Sequence, residues 1–510
     1  MTPSASSSSS FRAKLEVRIT STETIKPSSP TTPRHDATFK LSLMDNYAPP
    51  LYMPCVFYYP QRSSESESSG DRRIDILKSS LAEALTRFYP LAGRLGEADS
   101  IPAVHCNDAG VPFSVAKVVH GGTLAAFLGT APEPDSLAQF LPFPADQLST
   151  AAAIQCAPQT AVRATVFPCG GVVVGTCSFH KIMDARTFFD FMLLWSAVAR
   201  AGGGGGGWGY AHNRAATELF PARPGDANPT TFDFGSEQGE TRVTRRFVFD
   251  EEAISSLKAI SRSEHVPNPT RFEAVGGFTW KCAMNAAATA RASAGGEPVT
   301  IHSVAVYQTY FLNINGFNKV ILRNVILTAV MATDLRGRMK EPLPDYSIGN
   351  VVWLSPVWHN YSQNLSEALV LQQLATELRR SKGATDDEFM EKIEGGHGRE
   401  EFMRNGETMW KALMAGFHAE TESSSCSKTM VVGISSIVGI RLYDVDFGWG
   451  KPGWVSMTTY ANQAPNSVLL MPSPKGHGME AWVTLGEQEI AMLQRDDSDL
   501  LAYAKRNPAL

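Results

Sequence analysis

A chain of 510 residues, 43% hydrophobic and 19% charged, has ordinary globular composition and exceeds what one hydrophobic core usually serves, so two domains are expected. Its formal net charge of -5 gives no electrostatic reason to bind nucleic acid or an anionic membrane, and no apolar run is long enough to cross a bilayer, which leaves a small-molecule partner. The seven cysteines are odd in number, widely spaced and without CxxC pairs, which argues against a disulfide framework or a zinc site and predicts reduced, mostly buried thiols in a soluble, cytoplasmic protein.

In chain order, the serine tract Ser6 to Ser10 reads as a short disordered tail, and "KLEVRIT" starts a strand almost at once. "YMPCVFYYP" is strand-like, "QRSSESESSGDRR" is a solvated loop, and "IDILKSSLAEALTRF" has helical character. "GGVVVGTCSF" has the length and β-branched composition of a strand. In "ARTFFDFMLLWSAVAR", Phe188, Met192, Trp195 and Ala199 follow helical spacing while Phe189 and Leu193 widen the apolar face, which predicts a helix buried on most sides. The six glycines and following prolines of "AGGGGGGWGYAHNRAATELFPARPGDANPTTFDFG" mark an interdomain linker. The expected division is an N-terminal domain of residues 1–205, a linker at 206–230 and a C-terminal domain of 231–510. "TESSSCSKT", around Cys426, reads as a further loop.

Where the strand "GGVVVGTCSF" meets the helix, His180 falls in the turn and Asp184 sits where an N-cap belongs. Taken alone, His180 reads more readily as a satisfied buried histidine than as a catalytic one. Cys177, three residues earlier, raises a cysteine-nucleophile scheme with His180 as base, but a cysteine on a strand before a turn is more often packing.

The ordered set "LKSSLAEALTRFYPLAGRL" (77–95), "SFHKIMDA" (178–185) and "VDFGWGKP" (445–452) resembles the plant BAHD acyltransferases, whose signatures are HxxxD and DFGWG. The resemblance extends to "ETIKPSSPTTPRHDATFKLSLMD", "PTRFEAVGGFTWKCA" and "TDLRGRMKEPLPDYSIGN", and the ending "EAWVTLGEQEIAMLQRDDSDLLAYAKRNPAL" is most like the branch that includes vinorine synthase. It implies an α/β fold: two similar-sized mixed-sheet domains of the coenzyme A-dependent acyltransferase type, with a solvent channel between them. Donor and acceptor would enter that channel from opposite faces.

The resemblance further implies an acyl-CoA cosubstrate, acetyl-CoA in this branch, with no permanently bound cofactor or metal, acting as a monomer on a hydroxyl of a specialised metabolite. An imidazole titrates near working pH, so His180 can take the acceptor's proton as general base, and the departing thiolate can recover it. Asp184 would brace that turn through a salt bridge to Arg336 in the second domain. Asp446, Gly448, Trp449 and Gly450 read as structural, two glycines bracketing a packed indole. Thr270 and Arg271, opening a helix, are the coenzyme A phosphate candidates. Many family members place a Ser/Thr-Ser-Trp triplet ahead of DFGWG, and here the run is Ser435, Ser436, Ile437. Isoleucine offers no donor, so either Ser435 acts alone toward the acyl-CoA or another group serves; this departure keeps open a non-catalytic relative that binds a metabolite or partner protein, and an N-acyltransferase acting on an amine is the other alternative.

Overall fold

The computed structural model describes residues 15–31, 37–48, 50–61, 69–143, 157–202, 214–226, 241–293, 326–343, 346–359, 367–404, 432–457, 466–474 and 476–510. Two large mixed sheets organise these residues. The first has six strands in the spatial order Glu16–Ile25, Val111–His120, Thr160–Val166, Val172–Phe179, Tyr52–Tyr59 and Trp454–Ser456. Its central strand Val172–Phe179 is buried at every position, which is why that segment reads as an unbroken apolar and small-residue run without alternation. Helices Ser69–Arg87 and Ala185–Arg200 pack against one another, and the Trp195 indole N–H donates to Ser80 Oγ at 3.0 Å and to the Leu77 carbonyl at 3.3 Å.

The second sheet has seven strands in the order Val352–His359, Ile326–Asp334, Val432–Ser436, Ser467–Pro472, Met479–Gly486, Arg242–Phe249 and Lys505–Arg506. The long helix Arg271–Ser293 lies with helices Glu367–Gly383 and Glu487–Leu493 over its own apolar cluster. A small three-stranded sheet joins Thr38–Lys40, Ile101–His105 and Arg94–Ala98. Among the described residues, no helix is long and apolar enough to cross a membrane.

Two expectations about domain limits change. Strand Trp454–Ser456 pairs antiparallel with Tyr52–Tyr59, and Ile437, Leu442, Val445, Phe447 and Trp449 are buried in the N-terminal cluster, so the segment carrying DFGWG belongs to the first sheet. The chain therefore crosses back between the two halves. Glu480 ties this return strand to the second sheet: it forms a buried ion pair with Arg246 at 2.7 Å and accepts from the indole N–H groups of Trp454 and Trp482. The expected linker at 206–230 is also more than a linker. Arg214–Leu219 is helical, and Ala216 and Phe220 are buried against Leu43, Met44 and Val351, because apolar residues in "AATELF" have a third small core to enter. Five of the six glycines (203–207), the loop around Cys426, the serine tract and most of the polar stretch after Gln61 lie outside the described residues.

Candidate active site

Strand Val172–Phe179 ends at His180, whose N–H donates to the Leu51 carbonyl at 2.9 Å. The imidazole is half-buried, and its Nδ1 is buried without a hydrogen-bond partner among the described residues. Burial pulls the imidazolium pKa below histidine's ordinary value; the residue's own carbonyl, Asp184 and Asn350 oppose that shift, and Lys181 adds to it. The ring is thereby kept neutral, the form a general base requires.

Asp184 caps helix Ala185–Arg200, with its Oδ1 accepting from the Thr187 N–H at 2.9 Å. Its Oδ2 accepts from Arg336 at 2.7 Å and from the Val351 N–H at 3.0 Å. Burial alone raises the Asp184 carboxyl, but the Arg336 charge and these donors outweigh it, holding the pKa below the usual carboxylate value. Arg336 also donates to Thr187 Oγ1 at 3.1 Å, to the Gly349 carbonyl at 2.9 Å and to Asp334 at 3.2 Å. Asp184 thus joins the His180 turn to Arg336 and Val351 with both of its carboxylate oxygens engaged.

Four residues complete the frame. The Thr187 hydroxyl faces the Ser347 and Gly349 carbonyls at 3.3 and 3.0 Å. Asp45 accepts from Asn350, and Asn350 donates to the His180 carbonyl. Gly349 sits at φ +126°, and a Cβ there would stand 2.9 Å from the Ala216 Cβ, so no other residue fits that passage. In sequence, only the Ser42-x-x-Asp45 spacing hints at Asp45, and as a helix start: Ser42 and Asp45 do form a reciprocal capping box. Nothing local pairs it with Asn350, 305 positions away.

The other singled-out residues lie apart from this turn. Asp446 Oδ1 accepts from the N–H groups of Gly448 and Gly450, both at 2.8 Å, and these glycines have φ of +107° and +110°. Trp449 stacks on Phe447 and meets Tyr59 edge-on, with the Arg73 guanidinium 5.3 Å from its ring centroid. The motif builds a turn and seats an indole in the N-terminal core. Gly448→Ala is accordingly expected to destabilise by about 1–3 kcal/mol, the cost of forcing a side chain into that backbone region, while leaving the KM for acyl-CoA unchanged; a thermal melt and steady-state kinetics check both.

Thr270 and Glu273 form a reciprocal cap at the start of helix Arg271–Ser293, at 2.7 and 3.2 Å, and Glu273 is held by Arg379 at 2.8 Å. The helix start is therefore already met by a carboxylate, and the exposed Arg271 there donates, among the described residues, to the His477 carbonyl at 3.5 Å. Ser435 is half-buried on strand Val432–Ser436, and Ile437 is buried in the N-terminal cluster. Cys177 is fully buried within its strand, as a packing residue would be. Cys55, Cys106 and Cys282 are likewise buried and form no disulfide.

A histidine at a strand end, an aspartate capping the next helix and an arginine reaching it from the second sheet define a two-sheet acyltransferase architecture. The chain matches the Transferase family over residues 15–500 and belongs to it, as a plant BAHD acyltransferase. It is 32% identical to akuammiline synthase 2 of Alstonia scholaris over 506 residues, covering 97% of this chain and 98% of that protein. It is 32% identical to limonoid 7-O-acetyltransferase of Citrus sinensis over 520 residues, covering 97% and 99%. The crystal structure of vinorine synthase superposes with a TM-score of 0.71 at 27% identity, covering 96% of this chain and 99% of that one.

Proposed function

We propose that the protein is an acyl-CoA-dependent O-acyltransferase in which His180 is the general base. In a ternary complex, His180 takes the acceptor's proton as its oxygen attacks the thioester carbonyl. The new C–O bond forms, the C–S bond breaks, and the coenzyme A thiolate recovers the proton from the imidazolium, so no acyl-enzyme is needed. The observation that carries this reading is an imidazole kept neutral by burial at the end of a rigid strand, on a turn clamped by Asp184 and Arg336.

Arg271 receives the coenzyme A phosphates through its guanidinium, aided by the Thr270 hydroxyl proton, since the helix-start N–H of Thr270 is already given to Glu273. The Ser435 hydroxyl donates to the developing oxyanion in place of the indole that Ile437 lacks. Donor and acceptor approach from opposite faces between the two sheets. We infer acetyl as the acyl group, because relatives similar over nearly their whole length are named O-acetyltransferases, and an alcohol of a specialised metabolite as acceptor. Buried cysteines that form no disulfide support a cytosolic setting, and a single chain supplies every residue of the mechanism.

Competition among acetyl-, malonyl-, benzoyl- and hydroxycinnamoyl-CoA, followed by release of free coenzyme A with alcohol and amine acceptors, tests this. Acetyl transfer to an alcohol is expected to dominate. A clear preference for a bulky aromatic donor would overturn the acetyl assignment, and a preference for amines would overturn O-transfer.

A further inference from the structure

The segment Gly349 to Val351 runs between two buried carboxylates of the N-terminal half. Val351 gives its N–H to Asp184, and one residue earlier Asn350 gives its N–H to Asp45 Oδ1 at 2.7 Å. The Asn350 side chain then makes two contacts from one nitrogen: Nδ2 donates to Asp45 Oδ1 and to the His180 carbonyl, both at 2.8 Å. Turning the amide over would set its oxygen against two acceptors, so only this orientation makes both bonds, and it leaves Asn350 Oδ1 buried without a hydrogen-bond partner among the described residues. Asp45 Oδ2 is meanwhile held by the Ser42 N–H at 2.9 Å and hydroxyl at 2.7 Å. Asp45 and Asn350 are 1% and 4% exposed, so water does not compete for these bonds.

His180 is therefore held at both backbone polar groups, one by the segment Ser42 to Leu51 and the other by Asn350. Leu51 takes its N–H, and Asn350, aimed by Asp45, holds its carbonyl. The next residue is tied to the same place, since Lys181 Nζ donates to the Asn46 carbonyl at 2.7 Å. Asp184 and Arg336 fix only the downstream end of this turn. We propose that Asp45 and Asn350 are positioning residues for the reaction: through the His180 carbonyl they fix the backbone from which the imidazole projects, and so the direction in which it meets the acceptor. The inference rests on His180 being the base.

The test is Asn350→Ala and Asp45→Asn, each in the wild type and in His180→Ala, with Asn350→Ser standing in where alanine does not fold. In the wild-type background, kcat is expected to fall roughly 10- to 100-fold, the scale of a small misplacement of a reacting group, with the KM for acyl-CoA unchanged. In the His180→Ala background the same changes should cost nothing further, because there is no imidazole left to aim. A wild-type kcat in the single variants overturns the proposal, as does an equal fractional loss in both backgrounds, which is what general destabilisation produces. The two readings separate cleanly. Full turnover by His180→Ala sinks the general base itself, whereas an inactive His180→Ala beside an unimpaired Asn350→Ala sinks the positioning role alone.

Discussion

His180→Ala is expected to lower turnover by roughly 100- to 10,000-fold, the usual contribution of a general base, with acyl-CoA affinity unchanged. A hydroxyl is a poor nucleophile until its proton is removed, and no other side chain on this turn can remove it: Asp184 has both oxygens engaged, and Lys181 is tied to the Asn46 carbonyl. The pH profile gives an independent check. A base must be neutral to act, and burial depresses the His180 pKa below 6.5, helped by Lys181 and opposed by Asp184. Activity is then retained as pH falls through 6.5 and lost only lower, so the acid limb of kcat/KM should have its midpoint below 6.5 and vanish in His180→Ala. Equal background release of coenzyme A by both proteins would instead identify a metabolite-binding relative.

The turn that carries His180 was legible because it is local. A strand of β-branched residues, a turn and an N-cap aspartate occupy consecutive positions, and each follows from short-range preference. The segments that could not be read are those whose partners lie far away in sequence. "GKPGWVS" carries no signal that its short strand joins a sheet formed by residues 16–179, since edge pairing depends on a neighbour nearly 400 positions earlier. "AATELF" looks like part of a linker because of the glycines before it and the prolines after, yet two apolar side chains suffice to dock it once a third core is available. Asp45 reads as a helix start, which it is, and its second task appears only when Asn350 arrives. The DFGWG motif lay between these cases: its glycines and aspartate announce a tight turn, but the core that receives Trp449 is set by the fold.

Asp184 and Arg336 are expected to show the largest stability effect, with a loss of about 3–5 kcal/mol when either is removed alone, because each leaves a buried charge or donor behind. Asp184→Asn can keep the Thr187 bond through its oxygen, but its amide then stands as a donor against Arg336 and the Val351 N–H. Asp184→Ala loses all three contacts. Melting temperature should therefore fall in the order wild type, Asn, Ala, with activity following the folded fraction, whereas His180→Ala should melt near wild type. Since the folded-state Asp184 pKa is depressed, its ionic contribution is fully present above the ordinary 3.8 and is lost as pH falls through the lower folded value, so the gap between wild type and Asp184→Asn should narrow only under strong acid. In Asp184→Ala, a second change at Arg336 should cost much less than it does in the wild type, because the shared ion pair is removed only once. What remains reports the Arg336 contacts to Thr187 and Gly349. If Asp184→Ala melted like the wild type yet had lost turnover, the carboxylate would be working on the imidazole itself, and the division of HxxxD into one chemical and one structural residue would have to be abandoned.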